Sequence, residues 1–420
     1  MTRESGDAAD NRTALRRPAS RPYNRNRTVY IRFGTKDDGY EVQAWGSAFP
    51  QDGGGGYQGK LQAKRNEIED AVTVVRERWQ RGVIDFKPEG RKGSGFPFTD
   101  RWDLSGSEDR ELLDAVGLGL AQAGHELFHL LFENGDPGLA EIGEYLVYAL
   151  RDGEQVITIE SDHLFAPWPL LYVPMDASQR MYGVGSSWSM SGFLGYRHLV
   201  EHNLSRAKGF DSRIVFTSKP NIGLNVNEHV DREHPPTPFV EPVLKFFDDR
   251  THAEVRRTRD ELAVALLEQR ATEHIIYFGC HGQVSSGELG RSYLELGDGE
   301  KIFSTELQSW LSKGHLRSQP VVFICACKGG RMAAHFYPAF GQHFLKYGAR
   351  CLVGPQVDLP RAFALEYTTR LFTEFLDPGK RLGDVMRALT RTFADEYRNP
   401  LGLIFSLYRG IDVHLWKESP

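Results

Sequence analysis

The chain lacks the features that mark secreted, membrane-spanning and nucleic-acid-binding proteins. Only four of its 420 residues are cysteines, and their spacing matches neither a disulfide framework nor an all-cysteine zinc site. No apolar stretch is close to the length of about 18 residues that a membrane-spanning helix needs, and the first residues lack the apolar core of a secretory signal. The 51 basic and 56 acidic side chains give a formal charge of −5, which favours neither nucleic acid nor an anionic membrane as partner. We therefore expect a cytoplasmic protein.

Three segments of different character divide the chain. Residues 1–27 are rich in arginine and hold almost nothing to bury, which predicts a disordered lead-in. Residues 28–205 begin with strand-like alternation and continue with apolar residues at helical spacing, which predicts a smaller α+β supporting region. Residues 206–420 carry the strongest strand signals and are predicted to form the main domain.

The main domain shows the alternation of strands and helices that is typical of a parallel sheet covered by helices on both faces. Short apolar runs predict strands, and amphipathic segments between them predict helices. The proline-rich segment 219–249 has little periodicity and predicts a long loop. The predicted strands lie near 213–217, 274–280, 320–326, 350–354 and 403–408, and the predicted helices near 251–270, 303–313, 334–347, 361–376 and 381–397.

Two of these runs end in a reactive side chain beside glycine. His281 precedes Gly282, and Cys327 precedes Lys328 and a glycine pair. Open parallel sheets place catalytic groups beyond the carboxyl ends of their strands, so the two side chains face one crevice if the strands are neighbours. A thiol beside an imidazole is the arrangement of a cysteine nucleophile.

The position of each residue along its strand suggests its role. Cys327 lies beyond the carboxyl end and is the predicted nucleophile, whereas Cys325 is still inside the apolar run and is the predicted small core residue. His281 would take the thiol proton and later deliver a proton to the leaving amine. The amides of Gly282 and of Cys327 are the predicted oxyanion donors. This chemistry calls for no metal and no cofactor.

Further motifs surround the two reactive residues. They are Cys280-His281-Gly282, the hairpin Ser292-Tyr293-Leu294-Glu295-Leu296-Gly297-Asp298-Gly299, the strand Val321-Val322 through Ala326-Cys327-Lys328-Gly329-Gly330, the strand Gly348-Ala349-Arg350-Cys351-Leu352-Val353-Gly354, and upstream Pro167-Trp168-Pro169-Leu170-Leu171. As a set, over residues 110–420, they resemble the CHAT family of caspase-like cysteine peptidases.

The resemblance implies a caspase-like α/β fold, preceded by a pseudo-caspase-like supporting region, and an endopeptidase that acts on a protein substrate. His281 and Cys327 correspond to the family's dyad, and Gly282 to an oxyanion donor. By analogy, we expect a protein activator and a role in bacterial stress, defence or cell death. Relatives that cut after basic residues often carry an acid where this chain has Cys325, so we predict a neutral or apolar P1 preference. Asp358 is an alternative pocket residue.

Two other functions compete with this interpretation. His125-Glu126-Leu127-Phe128-His129 matches H-E-x-x-H, which on a helix presents two imidazoles to zinc. Its leucines and phenylalanines instead favour a core helix, and the best third ligands, Glu141 and Glu144, lie closer than the usual spacing. The other alternative is a caspase-like signalling module without activity, because a fold alone does not determine function.

Overall fold

The computed structural model describes residues 24–50, 56–88, 95–176, 184–185, 187–204, 211–233, 237–268, 272–283, 292–325 and 340–418. Eleven strands in these ranges form one sheet, in the order β3-β2-β1-β4-β5-β15-β14-β13-β9-β7-β8, and two small sheets join β10-β11-β12 and β16-β6. The strands are β1 (Val29–Lys36), β2 (Gly39–Trp45), β3 (Tyr57–Lys60), β4 (Val156–Glu160), β5 (Leu199–Asn203), β6 (Arg213–Phe216), β7 (Asn221–Val226), β8 (His252–Arg256), β9 (Ile275–Gly279), β10 (His281–Gln283), β11 (Tyr293–Glu295), β12 (Lys301–Phe303), β13 (Val321–Ile324), β14 (Cys351–Pro355), β15 (Phe405–Tyr408) and β16 (His414–Lys417).

Helices connect most of the strands. None of those in the described ranges is long and apolar enough to cross a membrane. Short 3₁₀ and π turns occur at 80–84, 168–170, 190–192 and 400–404. The α-helices are α1 (Arg65–Trp79), α2 (Pro97–Asp100), α3 (Leu112–Phe132), α4 (Pro137–Asp152), α5 (Leu194–Arg197), α6 (His229–Glu233), α7 (Val240–Arg250), α8 (Arg259–Leu267), α9 (Ser304–Gly314), α10 (Gln342–Lys346), α11 (Arg361–Phe375) and α12 (Leu382–Asp395).

The large sheet consists of two groups of parallel strands that run in opposite directions. β1, β4, β5 and β15 are parallel to one another, as are β14, β13, β9, β7 and β8. The antiparallel pair β14–β15 joins the two groups, and the hairpin strands β2 and β3 extend the first one antiparallel. The carboxyl ends of the two groups therefore lie at opposite edges of the sheet. One continuous sheet thus runs across the predicted boundary at residue 205.

Helices cover both faces of the second group. On β9, Ile275 and Tyr277 belong to the large hydrophobic core on one face, while Ile276 and Phe278 belong to a smaller core on the other face. α7 and α11 pack on the first face, and α8, α9 and α10 on the second. A strand that is buried on both faces needs apolar residues at every position, which explains the continuous runs in the sequence. The predicted α/β fold class is confirmed.

Two local predictions were wrong. Segment 219–249 is not a loop, because it contains strand β7, which lies between β9 and β8 in the large sheet, and the helices α6 and α7. Pro242 lies in the first turn of α7, where a missing backbone N–H breaks no helical hydrogen bond. The predicted helix 251–270 begins as the edge strand β8, and α8 starts only after Thr258, whose side chain accepts from the backbone N–H of Glu261 at 3.2 Å.

The end of the predicted lead-in is part of the fold. Residues 1–23 lie outside the described residues, whereas residues 24–27 pack against strand β5 and the turn that follows β15. The Arg27 guanidinium lies 2.9 Å from Glu201 Oε1 and also pairs with Asp412. Arg25 pairs with Asp384 on α12 at 2.5 Å. These ion pairs link the start of the described chain to its C-terminal part.

Candidate active site

The two strands that precede the predicted reactive residues are direct neighbours. β9 and β13 run parallel with Phe278 opposite Ile324, and the backbone N–H of Cys325 donates to the Phe278 carbonyl at 2.8 Å. The neighbour relation on which the prediction depends is therefore confirmed. His281 and Cys327 each follow the paired residue of their own strand by three positions. Cys327 itself lies outside the described residues.

His281 begins a small antiparallel sheet that leaves the end of β9. It is the first residue of β10 and pairs with Glu295 of β11, while Gly282 pairs with Leu294. Gly282 is buried, and His281 keeps only 8% of its surface exposed. The backbone around the imidazole is thus held by a ladder on one side and by β9 on the other.

The three described cysteines are all deep in the core. Cys280, Cys325 and Cys351 have at most 1% of their surface exposed, and burial raises the pKa of each thiol to about 12. Each is therefore protonated at neutral pH, whereas a cysteine nucleophile acts as the thiolate. Cys325 contacts Thr368 Oγ1 at 3.4 Å, and its predicted role as a small core residue is confirmed.

Asp358 lies three residues past the end of β14, at the same edge of the sheet as the end of β13. Its backbone N–H donates to Gln80 Oε1 at 3.2 Å, and Gln80 Nε2 in turn donates to Asp85 at 3.3 Å. Burial raises the pKa of the half-buried Asp358 carboxyl to about 6, and the charge of Asp85 adds to that effect. A carboxyl group with this pKa is still mostly ionised at pH 7.

The H-E-x-x-H segment lies on α3 and contributes mainly to packing. Leu127 and Phe128 are buried, and His125 hydrogen-bonds the backbone of Tyr172 while burial lowers its pKa. His129 is exposed and contacts Glu133 on the same helix at 2.9 Å. Among the residues that the structure describes, no group of three or more His, Cys, Asp or Glu side chains is arranged to hold a metal ion.

Sequence reasoning missed Asn227, a buried residue at the end of β7. Its backbone N–H donates to the Gly279 carbonyl at 3.0 Å, and its side-chain amide donates to the Glu295 carbonyl at 3.2 Å. Asn227 therefore joins β7 to the segment that carries His281. The alternation of Ile222, Leu224 and Val226 was the available signal, but the surrounding prolines led to the prediction of a loop.

Comparison with known proteins adds a family and a relative. Residues 231–401 match the model of the CHAT domain, so the resemblance seen in the motifs is confirmed over that segment. A protein named as a probable protease, from Vitiosangium sp. (strain GDMCC 1.1324), is 26% identical over 170 residues, which are 40% of this chain and 22% of that protein. The chain thus spans about a fifth of the length of this relative.

Solved structures with a similar arrangement of elements include a Saccharomyces cerevisiae separase–securin complex, with a TM-score of 0.43 and 8% identity over 93% of this chain and 30% of that chain. Another is the complex of the pro- and mature domains of Porphyromonas gingivalis RgpB, with a TM-score of 0.38 and 9% identity over 64% of this chain and 69% of that chain.

Proposed function

We propose that the chain is a cysteine endopeptidase with Cys327 as nucleophile and His281 as general base. The observation that carries this proposal is the register of β9 and β13, which pairs Phe278 with Ile324. Both reactive residues follow these paired positions at the same interval along the chain, and the two parallel strands end at the same edge of the sheet. Burial of the other three cysteines adds support, because it leaves Cys327 as the candidate for a reactive thiolate.

The proposed reaction follows from this pair. His281 accepts the proton of Cys327 Sγ, and the thiolate attacks the carbonyl carbon of the scissile peptide bond to form a C–S bond. The carbonyl oxygen becomes an oxyanion, for which the amides of Gly282 and Cys327 are the proposed donors. The C–N bond then breaks, and the imidazolium gives its proton to the leaving amine. Water, deprotonated by His281, hydrolyses the thioester and restores the thiol.

For the substrate, we propose a protein with a neutral or apolar side chain at P1. Cys325, two positions before the nucleophile, contributes a neutral core thiol rather than an acidic group. Asp358 is the proposed alternative determinant of the pocket. Its raised pKa weakens it as a receptor for a cationic side chain below about pH 6, because the carboxyl is then largely protonated.

The proposed setting is a cytoplasmic pathway of bacterial stress, defence or cell death, in which a protein partner activates the peptidase. An unregulated peptidase would be harmful in a cytoplasm, so we expect a segment that controls access to the active site, here called the gate. Segment 285–291, which follows β10, is a proposed site of this gate and lies outside the described residues. Segment 219–249, which was predicted to be a loop, holds the regular elements β7, α6 and α7 and is not proposed as the gate.

The test is a comparison of protein termini in cells that express the wild type or the Cys327→Ala variant. We expect new termini that depend on Cys327 and share a neutral or apolar residue at P1. A peptide with a thiol-reactive group should label Cys327 in the wild type and lose most of that labelling in His281→Ala.

Cys325→Ala is the matched control, because it removes a thiol two positions earlier in the chain. This variant should keep both cleavage and labelling. Equal sets of termini in the wild type and Cys327→Ala would contradict a peptidase function for this cysteine, and strict cleavage after arginine or lysine would contradict the P1 preference.

A further inference from the structure

Asn227 makes three hydrogen bonds around the backbone that carries His281. Its backbone N–H extends the β7–β9 ladder by donating to the Gly279 carbonyl at 3.0 Å, two residues before the imidazole. Its side-chain Nδ2 donates to the Glu295 carbonyl at 3.2 Å. Its Oδ1 accepts from the backbone N–H of His229, at the start of α6, at 2.9 Å. Both the Nδ2 donor and the Oδ1 acceptor of the side-chain amide are therefore hydrogen-bonded.

The bond to Glu295 is the important one, since Glu295 is the residue of β11 that pairs with His281. β9 and β11 are thereby fastened to the same residue, β9 through the backbone N–H of Asn227 and β11 through its side-chain amide. These bonds tie the His281 segment to the end of β7, in addition to the β10–β11 ladder. The side chain is 1% exposed, so water does not readily replace its bonds.

We propose that Asn227 is a positioning residue that aims the His281 imidazole at Cys327. This inference rests on the proposed function, because it requires the two to act as a pair. Proton transfer between a thiol and an imidazole needs hydrogen-bond distance, and displacement by about 1 Å costs about 100-fold in rate. Loss of the Asn227 amide leaves the Glu295 carbonyl without this donor and frees β10 to shift relative to β13.

The sequence offers a matched control on the same strand. Asn225 is also fully buried, and its Nδ2 donates to the Tyr277 carbonyl at 3.1 Å. It therefore fastens β7 to β9 inside the sheet, and this hydrogen bond does not involve the small sheet that carries His281. Asn225→Ala removes the same atoms as Asn227→Ala from a similarly buried place.

The experiment measures the rate at which iodoacetamide alkylates Cys327 between pH 6 and 9 in the full chain, with the labelled peptide identified by mass spectrometry. In Asn227→Ala we expect a decrease of about tenfold or more near pH 7 and a shift of half-maximal labelling towards higher pH. Asn225→Ala should lower the melting temperature similarly and leave the pH profile in place. Asn227→Asp keeps the size and the acceptor for His229 but loses the donor to Glu295, so it should behave like Asn227→Ala.

The His281→Ala variant separates the positioning role of Asn227 from the dyad of Cys327 and His281. If it changes the pH profile of Cys327 and the Asn227 variants do not, the positioning role is overturned while the dyad stands. If Asn225→Ala and Asn227→Ala change the profile equally, the effect is a general loosening of β7 and the positioning role is again overturned. If His281→Ala has no effect on Cys327, the dyad itself is wrong and the positioning role falls with it. The wild-type profile in Asn227→Asp would also overturn the role assigned to the Glu295 bond.

Discussion

The two groups of parallel strands in the large sheet differ in what covers their faces. In the C-terminal group, β9 and β13 are buried at every position, with hydrocarbon on both faces. In the N-terminal group, β1 alternates between buried and more exposed residues. Its inner face joins the large core, and its outer face carries Tyr30, Arg32 and Lys36. β9 and β13 are thus buried on both faces, whereas β1 is buried on one face and partly exposed on the other.

The difference explains where reactive and charged groups lie. The doubly buried strands β9 and β13 carry no charged side chain, and His281 and Asp358 lie beyond the strand ends. The N-terminal group instead holds charges on its outer face, where Arg27 pairs with Glu201 and Asp412. The extent to which hydrocarbon covers the strands therefore accounts both for the reactive groups beyond the strand ends and for the ion pairs of Arg27.

The largest expected effect tests whether the chemistry belongs to the C-terminal group alone. His281→Ala removes the proposed general base, so cleavage of the identified substrate should fall by about 100- to 10,000-fold. His129→Ala, which alters an exposed residue of the N-terminal half, should leave cleavage unchanged. Cleavage that depends on His129, together with stoichiometric zinc in the purified protein, would favour the metallopeptidase and reverse the assignment.

The second-largest expected effect is a loss of stability when the Arg27 ion pairs of the N-terminal group are removed. Arg27→Ala leaves Glu201 and Asp412 buried without this counter-charge, and breaking such a pair costs about 3–5 kcal/mol of unfolding free energy. Urea denaturation measures the loss. Arg32→Ala is the control, since its pair with Glu160 at 3.2 Å is partly exposed to solvent and is worth about 1 kcal/mol or less. Equal losses in the two variants would show that burial of the carboxylates is not the cause.

Acid should destabilise the N-terminal group through His202 on β5. This imidazole accepts from the indole N–H of Trp168 at 2.9 Å and donates to the Ser161 carbonyl at 2.8 Å, and burial lowers its pKa to about 4. Since the unfolded chain binds the proton more tightly, stability is fully present above the ordinary histidine pKa and is lost as the pH falls towards 4. This residue should make the free energy of unfolding about 2–3 kcal/mol smaller at pH 4.5 than at pH 7. In His202→Gln the difference should shrink by that amount; an unchanged difference would contradict the assignment.

Asp358, at the edge of the C-terminal group, should have a smaller effect of the opposite sign. Its folded-state pKa is raised to about 6, so its contribution is fully present below the unfolded pKa of about 4 and is lost as the pH rises through 6. Asp358→Asn should therefore gain about 1–2 kcal/mol relative to the wild type at pH 7.5 and little at pH 3.5. Denaturation curves at the two pH values measure this gain, and a constant difference between them would refute it.

Sequence reasoning was most successful where one physical signal dominated. The apolar runs before His281 and Cys327 predicted β9 and β13, because only strands buried on both faces require such runs. It failed where signals conflicted, as in segment 219–249, whose prolines concealed β7 and α7. The role of Cys327 stays a prediction, whereas the assignment of Cys325 to the core is confirmed by its burial.

The amino-acid sequence by itself determined the local features: which runs are strands, which cysteine lies inside a run, and which residues follow the strand ends beside glycine. Periodicity and burial of hydrocarbon act over a few residues, so the sequence carries these features directly. Only the tertiary structure decided that β9 lies beside β13, that Asn227 reaches the partner of His281, and that Arg27 joins β5 to the turn after β15. Such contacts depend on strand order and register, which bring together residues far apart in the chain.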